Sequence, residues 1–168
     1  MIDRMSEMPS PDSPPPLGFR LAQRLFLLGA RFTRGMTLGV RGMVLDEANR
    51  IFLVRHSYVR GWHMPGGGVD PGETLNQALA KELREEGNIL LTGQARLHGI
   101  YLNRKTSSRD HIAVFVVRDF KQSGPRAPDR EIVEARFFSL DDLPMETTQA
   151  TRRRIAEALN GQTPMAEW

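Results

Sequence analysis

Three glutamates, Glu82, Glu85 and Glu86, are spaced three and four residues apart in a run that the sequence predicts to be helical. Side chains at these spacings are neighbours on one helix face. Carboxylates held close together repel one another, and burying them unpaired costs free energy. A bound divalent cation offsets both penalties, and an all-oxygen ligand set selects Mg²⁺ or Mn²⁺ over zinc. The spacing therefore indicates a magnesium or manganese site, with a solvated acidic helix face as the open alternative.

The apolar residues of the same run indicate which way the acids point. Leu75 and Leu79 belong to the stripe that a core-facing helix requires. Continuing at about 100° per residue places Glu82 and Glu86 on that side of the helix. Lys81 projects from the opposite side, so a neighbouring lysine does not neutralise the acids on the inward face.

A glycine-rich turn precedes the acids by a short, fixed distance. Residues 65–68 read PGGG, and Glu73 lies between this turn and the acids. Glycine adopts positive φ angles and lets the main chain approach another group closely. Backbone N–H and C=O groups in such a loop are free to face a ligand or a metal ion. The loop and the acids are therefore predicted to form one site.

Together these features resemble the Nudix box, written G-x5-E-x7-R-E-U-x-E-E-x-G-U, in which U is a bulky aliphatic residue. The matching positions are Gly67, Glu73, Glu82, Leu83, Glu85, Glu86 and Ile89. The upstream W-x-x-P-G-G, which runs from Trp62 to Gly67, is also typical of the family. The resemblance implies the Nudix fold, an α+β fold in which an α/β/α sandwich surrounds a mixed sheet.

Two positions depart from the box. Lys81 stands where the family has Arg, and it keeps the charge but loses the planar guanidinium fork. The family's Arg–Glu contact, here Lys81 with Glu73, is therefore expected to be looser. Asn88 stands where the family has its second Gly, and Asn tolerates the left-handed conformation that this position requires.

The resemblance also implies the activity, a metal-dependent pyrophosphohydrolase that cleaves a nucleoside diphosphate linked to another moiety. The implied ligands of Mg²⁺ or Mn²⁺ are the carboxylates of Glu82, Glu85 and Glu86 and the backbone carbonyl of Gly66. Glu82 is alternatively the general base. In some members the base comes from a downstream loop, where Glu131 is the candidate and Glu134 its rival. The catalytic candidates are thus Glu82, Glu85 and Glu131, supported structurally by Gly67, Glu73 and Lys81.

Three further residues are candidates for substrate binding. Arg41 and Arg55 lie on predicted strands that lead to the site and could hold phosphates. The alternative is that each packs its stem and extends its charge to water. Trp62 could stack on a base, although a Trp beside a Pro-Gly turn also suits packing. The four histidines show no metal-ligand spacing and receive no role, and residues 152–154 (RRR) are expected on a solvated face.

The elements that must position these residues mix strands and helices. Residues 36–46 and 50–58 are predicted strands that form a hairpin about the turn EAN. Residues 95–104, 111–120 and 132–140 are three more strands, and residues 147–161 contain a final helix. This order predicts an α+β domain with a helix embedded between strands.

Composition divides the chain into four segments. Residues 1–16 are rich in Pro and are predicted to be disordered, and residues 17–34 are predicted to form a basic amphipathic helix. That helix could bind a membrane surface or a partner protein. The alternative is that it packs on its own domain or on a second copy of the chain in a homodimer. The domain spans 35–161, and 162–168 form a C-terminal tail.

The bulk properties bound the function. The net charge is +3, no cysteine is present, and no apolar run approaches the ~20 residues of a membrane span. The lack of cysteine fits a reducing cytoplasm, and the positive charge suits polyanionic small molecules as well as nucleic acid. The resemblance implies a small-molecule nucleotide substrate, and no DNA-binding motif is visible. The sequence leaves the linked moiety open among nucleotide sugars, ADP-ribose and nucleoside triphosphates. Two alternatives remain, a non-catalytic sensor of a nucleotide metabolite and a hydrolase of capped or 5′-terminal RNA.

Overall fold

The computed structural model describes residues 35–168, which contain eight strands and two helices. The strands are β1 (Thr37–Val44), β2 (Ile51–His56), β3 (Trp62–His63), β4 (Ile89–Leu91), β5 (Arg96–Leu102), β6 (Asp110–Val117), β7 (Phe120–Gln122) and β8 (Ile132–Phe138). The helices are α1 (Leu75–Gly87) and α2 (Gln149–Leu159). The lead predicted over residues 1–16 and the helix predicted over residues 17–34 lie outside this range. Neither described helix has the length and apolar content that a membrane crossing requires.

The strands pair in a mixed pattern. β1 runs parallel to β6, with Thr37 opposite Asp110, and β5 lies antiparallel on the other edge of β6. β2 lies between β3 and β8 and is antiparallel to both. β4 and β7 form a separate antiparallel pair. The α+β class predicted from the order of elements is confirmed.

The hairpin predicted from β1 and β2 is wrong, although its turn is present. The Asp46 N–H donates to the Arg50 carbonyl at 3.1 Å, and Asn49 has a positive φ of 56°. A single bridge joins Leu45 to Ile51, and beyond it the two strands enter different sheets. β2 is buried at almost every position and pairs along both of its edges, as a central strand does. The turn signal specified the reversal of the chain but not the pairing.

The core explains how the two helices flank the strands. Alternate residues of a strand point to opposite faces. Phe52 of β2 belongs to an apolar cluster that contains Leu79 and Leu83 of α1. Leu53, the next residue, belongs to a second cluster that contains Ile155 of α2. The helices therefore cover opposite faces of the strands, which confirms the predicted α/β/α sandwich.

Both ends of α1 are capped, the first by side chains and the second by a left-handed main-chain conformation. Thr74 caps the start, since its hydroxyl accepts from the Gln77 N–H while the Gln77 side chain accepts from the Thr74 N–H. Asn88 ends the helix with φ 53°, the left-handed conformation expected where the family has Gly. The caps fix where α1 begins and ends, and the packing of its buried Leu79 and Leu83 sets its rotation and thereby the positions of Glu82 and Glu86.

Residues at the end of the chain pack on β5. The Leu102 N–H donates to the Ala166 carbonyl at 3.0 Å, and the Trp168 N–H donates to the Leu102 carbonyl at 3.0 Å. Trp168 also packs against the second apolar cluster. The end of the segment predicted as a tail, residues 162–168, is thus bound to the domain.

The solvated face predicted for residues 152–154 is wrong for Arg154. This side chain is fully buried in α2, with Nη2 2.5 Å from Oε1 of Glu157. Its guanidinium lies over the Tyr101 ring, 3.9 Å from the centroid. A run of three arginines does not reveal from sequence which one turns inward to meet a buried acid.

Candidate active site

The glycine-rich loop is fixed on both sides. The Val40 N–H donates to the Gly67 carbonyl at 2.9 Å, which ties the loop to β1. The Gly66 N–H donates to Oε2 of Glu86 at 2.8 Å, which ties it to α1. Gly66 has φ 144°, and a side chain there would collide with the Val40 carbonyl. Gly66 therefore requires glycine for two reasons, its positive φ angle and the lack of space for a side chain, as the sequence predicted for this turn.

Glu86 is the buried acid of the cluster, with 6% of its surface exposed. The pKa of this carboxyl is raised to about 7, chiefly by burial and to a smaller extent by the nearby charges of Glu82 and Glu131. The Gly66 N–H and the Arg41 guanidinium act in the opposite direction. The Glu86 carboxylate is thus buried without enough hydrogen-bond donors and cations to compensate its negative charge.

Glu82 occupies the space left by a missing side chain on the loop. A Cβ at Gly67 would lie 2.5 Å from Oε1 of Glu82, so glycine at this position admits the carboxylate. Burial raises the pKa of Glu82, while the charge of Lys81 lowers it and that of Glu85 raises it. Two of the three predicted ligands therefore carry raised pKa values, in the metal-free state, that burial explains.

A cavity of about 300 Å³ joins the acids from α1 with the segment before β8. Its lining residues are Glu82, Glu85, Glu86, Arg126, Asp129, Glu131 and Ile132. The potential ligand atoms that converge within 4.8 Å of one another, among residues 35–168, belong to His56, Glu86 and Glu131. Glu82 and Glu85 line the same cavity but lie outside this tighter group.

The two rival candidates for the base differ in their contacts. Glu131 lines the acid cavity, and its Oε1 accepts from the Tyr58 hydroxyl at 3.1 Å. Glu134 is instead paired with Arg55 at 3.2 Å and with Arg136 at 2.9 Å. The position of Glu131 favours it over Glu134.

His56 is the residue that sequence reasoning missed. It ends β2, is buried, and places Nε2 3.6 Å from Oε1 of Glu86. Burial is the largest cause that lowers the pKa of His56, followed by the charges of Arg41 and His63. Its partners come from other parts of the chain, so no local spacing marks it. The one available signal was its place at the end of an apolar strand that leads into the glycine-rich loop.

Lys81 makes the contact that its place in the box predicts. Its Nζ lies 3.3 Å from Oε2 of Glu73 and 3.0 Å from Oδ2 of Asp70. The same Glu73 oxygen accepts from the Asp70 N–H at 3.1 Å. Hydrogen bonding to Asp70 is the main cause that raises the pKa of Lys81. The ammonium thus holds two acids of the loop against α1, and Asp70 is a partner that the sequence did not indicate.

Arg41 contacts the loop in this structure. Its guanidinium donates to the Gly66 carbonyl and, at 3.4 Å, to the Met64 carbonyl. The carbonyl expected to ligate a metal ion therefore accepts a hydrogen bond from Arg41. Arg41 also lines a second cavity beside the acids, where a phosphate could compete for its donors.

The positions of Arg55 and Trp62 support structural roles. Trp62 is 5% exposed and packs edge-on against Phe138, with ring centroids 4.7 Å apart. Arg55 pairs with Glu134 and lies 5.7 Å from the centroid of the Trp62 ring. Burial leaves the indole without an open face for a base, so its position favours the packing alternative.

The second cavity has a volume of about 530 Å³ and mixes cationic, amide and aromatic groups. Its lining includes Arg41, His56, Tyr58, His63, Asn103, Lys105, Thr148 and Trp168. Tyr58 connects the two cavities, because its hydroxyl donates to Glu131 in the acid cavity. A volume of this size accommodates a small organic ligand.

The acid cavity fits a divalent cation. Glu82 and Glu86 are carboxyls whose charged forms burial disfavours, and a cation would compensate both. Nε2 of His56 lies 3.6 Å from Oε1 of Glu86, and His56 belongs with Glu86 and Glu131 to the group whose ligand atoms converge. Carboxylate oxygens and a neutral imidazole are both established ligand types for divalent metals in proteins.

Comparison with known proteins identifies the family. The model of the NUDIX domain family matches residues 35–159. The chain is 29% identical over 125 residues to a Bacillus subtilis (strain 168) protein named "Putative 8-oxo-dGTP diphosphatase". This alignment covers 74% of this chain and 81% of that protein. It is 29% identical over 105 residues to an ADP-ribose pyrophosphatase of Methanocaldococcus jannaschii, covering 60% of this chain and 61% of that protein. The chain thus spans less than two thirds of the latter relative.

A solved structure agrees with this match. The MutT NUDIX hydrolase from Burkholderia pseudomallei superposes with a TM-score of 0.61 at 26% sequence identity, over 71% of this chain and 95% of that one. The family model covers most of the domain that contains the capped helix, the glycine-rich loop and the acid cavity. This chain belongs to the Nudix family of hydrolases, enzymes that act on acid anhydrides in phosphorus-containing substrates.

Proposed function

We propose that this chain is a divalent-metal-dependent pyrophosphohydrolase that cleaves the diphosphate of a nucleoside diphosphate linked to another moiety. The moiety is a sugar, a ribose as in ADP-ribose, or a further phosphate as in a nucleoside triphosphate. The observation that carries the proposal is the buried Glu86 carboxylate, bonded to the Gly66 N–H in a cavity lined by three more glutamates. The names of the two relatives both support a nucleotide substrate, but they name different nucleotides, 8-oxo-dGTP and ADP-ribose.

We assign the metal to the carboxylates of α1. Glu82, Glu85 and Glu86 would hold Mg²⁺ or Mn²⁺, which when bound neutralises the diphosphate oxygens and lowers the pKa of an attacking water. Lys81 keeps the loop against the helix through Glu73, so the Gly66 end of the loop stays beside Glu86.

Glu131 is our candidate for the proton acceptor. Its carboxylate lines the acid cavity, and the Tyr58 hydroxyl fixes one of its oxygens. Glu82 is the alternative, since it lines the same cavity from the helix side. A Glu131→Gln variant that loses turnover but keeps metal affinity would support Glu131 as the acceptor.

The second cavity is our candidate for the nucleoside part of the substrate. Arg41 and Lys105 offer cationic donors for phosphate, Asn103 offers an amide, and Tyr58 and Trp168 offer aromatic surface. Its connection to the acid cavity at Tyr58 would place the diphosphate between the two.

Turnover by the full chain tests the proposal. Purified protein is stripped of metal and then assayed with Mg²⁺ or Mn²⁺ against ADP-ribose, UDP-glucose, 8-oxo-dGTP, dGTP and a 5′-triphosphorylated RNA, with products resolved by chromatography. We expect metal-dependent cleavage within the diphosphate or triphosphate of at least one substrate, and its loss in Glu86→Gln. Tight binding of a nucleotide without cleavage in either metal would overturn the enzymatic proposal in favour of the sensor alternative.

A further inference from the structure

The imidazole of His56 is buried beside the acid cavity without hydrogen bonds that would explain its burial. Its Nε2 lies 3.6 Å from Oε1 of Glu86, longer than a hydrogen bond. Its Nδ1 has no hydrogen-bond partner among residues 35–168. Buried polar side chains are normally hydrogen-bonded, so Nε2, which faces a buried carboxylate without a hydrogen bond, requires an explanation.

The backbone directs His56 to this place. The pairing of β2 with β8 shifts between Arg55 and His56, so that Arg55 lies opposite Glu134 and His56 opposite Ile132. The extra residue of this bulge, Val133, belongs to β8, and bulges are frequent beside active sites. His56 itself continues the face of β2 on which Phe52 and Val54 pack against α1. The ring of Tyr58 lies 5.1 Å from the imidazole, measured between centroids, and packs against it. The orientation of His56 is thus set by main chain and packing.

The ring nitrogen and the acid are separated by a distance suited to a shared cation. Nitrogen and oxygen ligands of one small divalent ion each lie ~2.1 Å from it, and so up to ~4.2 Å from one another. The 3.6 Å between His56 and Glu86 falls within that limit. Glu131 offers a third atom within 4.8 Å of both. The inference needs only the first two residues, and Glu131 keeps the role assigned to it above.

We propose that His56 is a ligand of the divalent cation, so that the site combines an imidazole nitrogen with the carboxylate oxygens. This rests on the proposed function only in that a metal ion binds beside Glu86. Carboxylate oxygens suit both Mg²⁺ and Mn²⁺, whereas an imidazole nitrogen suits first-row transition ions and is a poor ligand for Mg²⁺. An imidazole ligand therefore shifts the preference of the site away from Mg²⁺ and toward transition ions, including Mn²⁺, a distinction that the box sequence does not make.

Pulsed electron paramagnetic resonance of the Mn²⁺-loaded full chain tests the inference, because it detects ¹⁴N bound to the ion. Protein is prepared with natural-abundance histidine and with ¹⁵N-labelled histidine. We expect the couplings of one directly bound imidazole in the first sample and their replacement by ¹⁵N couplings in the second. We expect His56→Gln to lose the signal.

His63→Gln is the matched control. Its ring is the nearest other imidazole, with centroids 6.0 Å apart, and its Nε2 lies 3.0 Å from the Arg60 carbonyl. We expect this variant to keep the nitrogen signal. If His56→Gln does not fold, single substitutions of His63, His98 and His111 decide, since the chain has four histidines. Retention of the signal in all three assigns it to His56.

Affinity provides a second readout. We expect His56→Gln to weaken Mn²⁺ binding by at least ~10-fold and Mg²⁺ binding less, measured by titration calorimetry. Absence of bound imidazole in the wild type, or its persistence in folded His56→Gln, would overturn the inference. Metal-dependent turnover without a nitrogen signal would refute this inference alone. A nitrogen signal without turnover would refute the proposed function and leave His56 as a ligand.

Discussion

The Gly66 N–H donates to Oε2 of Glu86 at 2.8 Å, and this bond joins the glycine-rich loop to the inward face of α1. It uses one oxygen of the carboxylate, while Oε1 lies on the side of His56. A single buried acid thus links the loop, the helix and the end of β2. The consequences of disturbing this link can be measured separately for the loop and for the acid.

Gly66→Ala should disrupt the site, whereas Gly68→Ala should be tolerated. Gly66 has a positive φ, and an added Cβ would lie 2.9 Å from the Cα of Arg41. Nothing lies within 4 Å of a Cβ at Gly68. We expect Gly66→Ala to lower the free energy of unfolding by about 2 kcal/mol or more and to abolish most turnover. Urea denaturation and steady-state kinetics measure both, and equal behaviour of the two variants would contradict the loop geometry.

Glu86→Gln should fold and lose most metal-dependent hydrolysis. The amide oxygen of Gln can still accept from the Gly66 N–H, so the loop stays in place while the negative charge is removed. Loss of a charged ligand should lower kcat/KM by ~100-fold or more. Glu47→Gln, at an exposed acid in the β1–β2 turn, is the control and should retain full activity. Wild-type turnover in Glu86→Gln would refute the metal-ligand assignment.

The stability of the metal-free protein should fall as pH rises, because of Glu86. Burial raises its pKa to about 7, above the ordinary 4.5, so folding favours the protonated form. That contribution is complete below pH 4.5 and is lost as pH rises through 7. The loss amounts to on the order of 3 kcal/mol. Urea denaturation in EDTA from pH 5 to 8 should therefore show a decline that Glu86→Gln lacks. Parallel profiles for the two proteins would show that Glu86 ionises freely when buried.

Local patterns predicted the helix and the contacts near it, while long-range contacts were missed. The helical run from Leu75 is encoded by neighbouring residues and was predicted, as was the left-handed conformation of Asn88, which the resemblance implied. The pairing of β1 with β6 depends on strands far apart in sequence, and a turn signal does not specify it. His56 was missed for the same reason, because its partners come from α1 and from the segment before β8.

Lys81 should be tested by paired substitutions. Its Nζ contacts Glu73 and Asp70, which holds the loop against α1. Lys81→Arg restores a bidentate donor and should keep or raise activity. Lys81→Met removes both contacts, and a site displaced by ~1 Å can lose ~100-fold in rate. The kcat/KM of both variants at saturating Mg²⁺ is the measurement. A change below about twofold for Lys81→Met would show that the ammonium contributes nothing to the site.

Arg154 should be the most sensitive position of its arginine run. Its guanidinium is fully buried, pairs with Glu157, and donates to the Glu167 carbonyl at 3.1 Å. Arg154→Gln would leave the Glu157 carboxylate buried without its cation, which typically costs about 3–5 kcal/mol. Arg153→Gln is the matched control, because Arg153 is partly exposed and forms no ion pair among the described residues.

The two arginine variants also separate stability from chemistry. Arg154 donates to the carbonyl of Glu167, the residue before Trp168, and the Trp168 N–H in turn donates to β5. Arg154→Gln should therefore loosen this segment and the cavity wall that Trp168 forms. We expect the free energy of unfolding to fall, and KM to rise more than kcat falls, since the acid cavity is built from other elements. Tryptophan fluorescence of Trp168, with Trp62 replaced by Phe in both proteins, reports its exposure. If Arg154→Gln and Arg153→Gln unfold at the same urea concentration, the buried pair does not stabilise the fold.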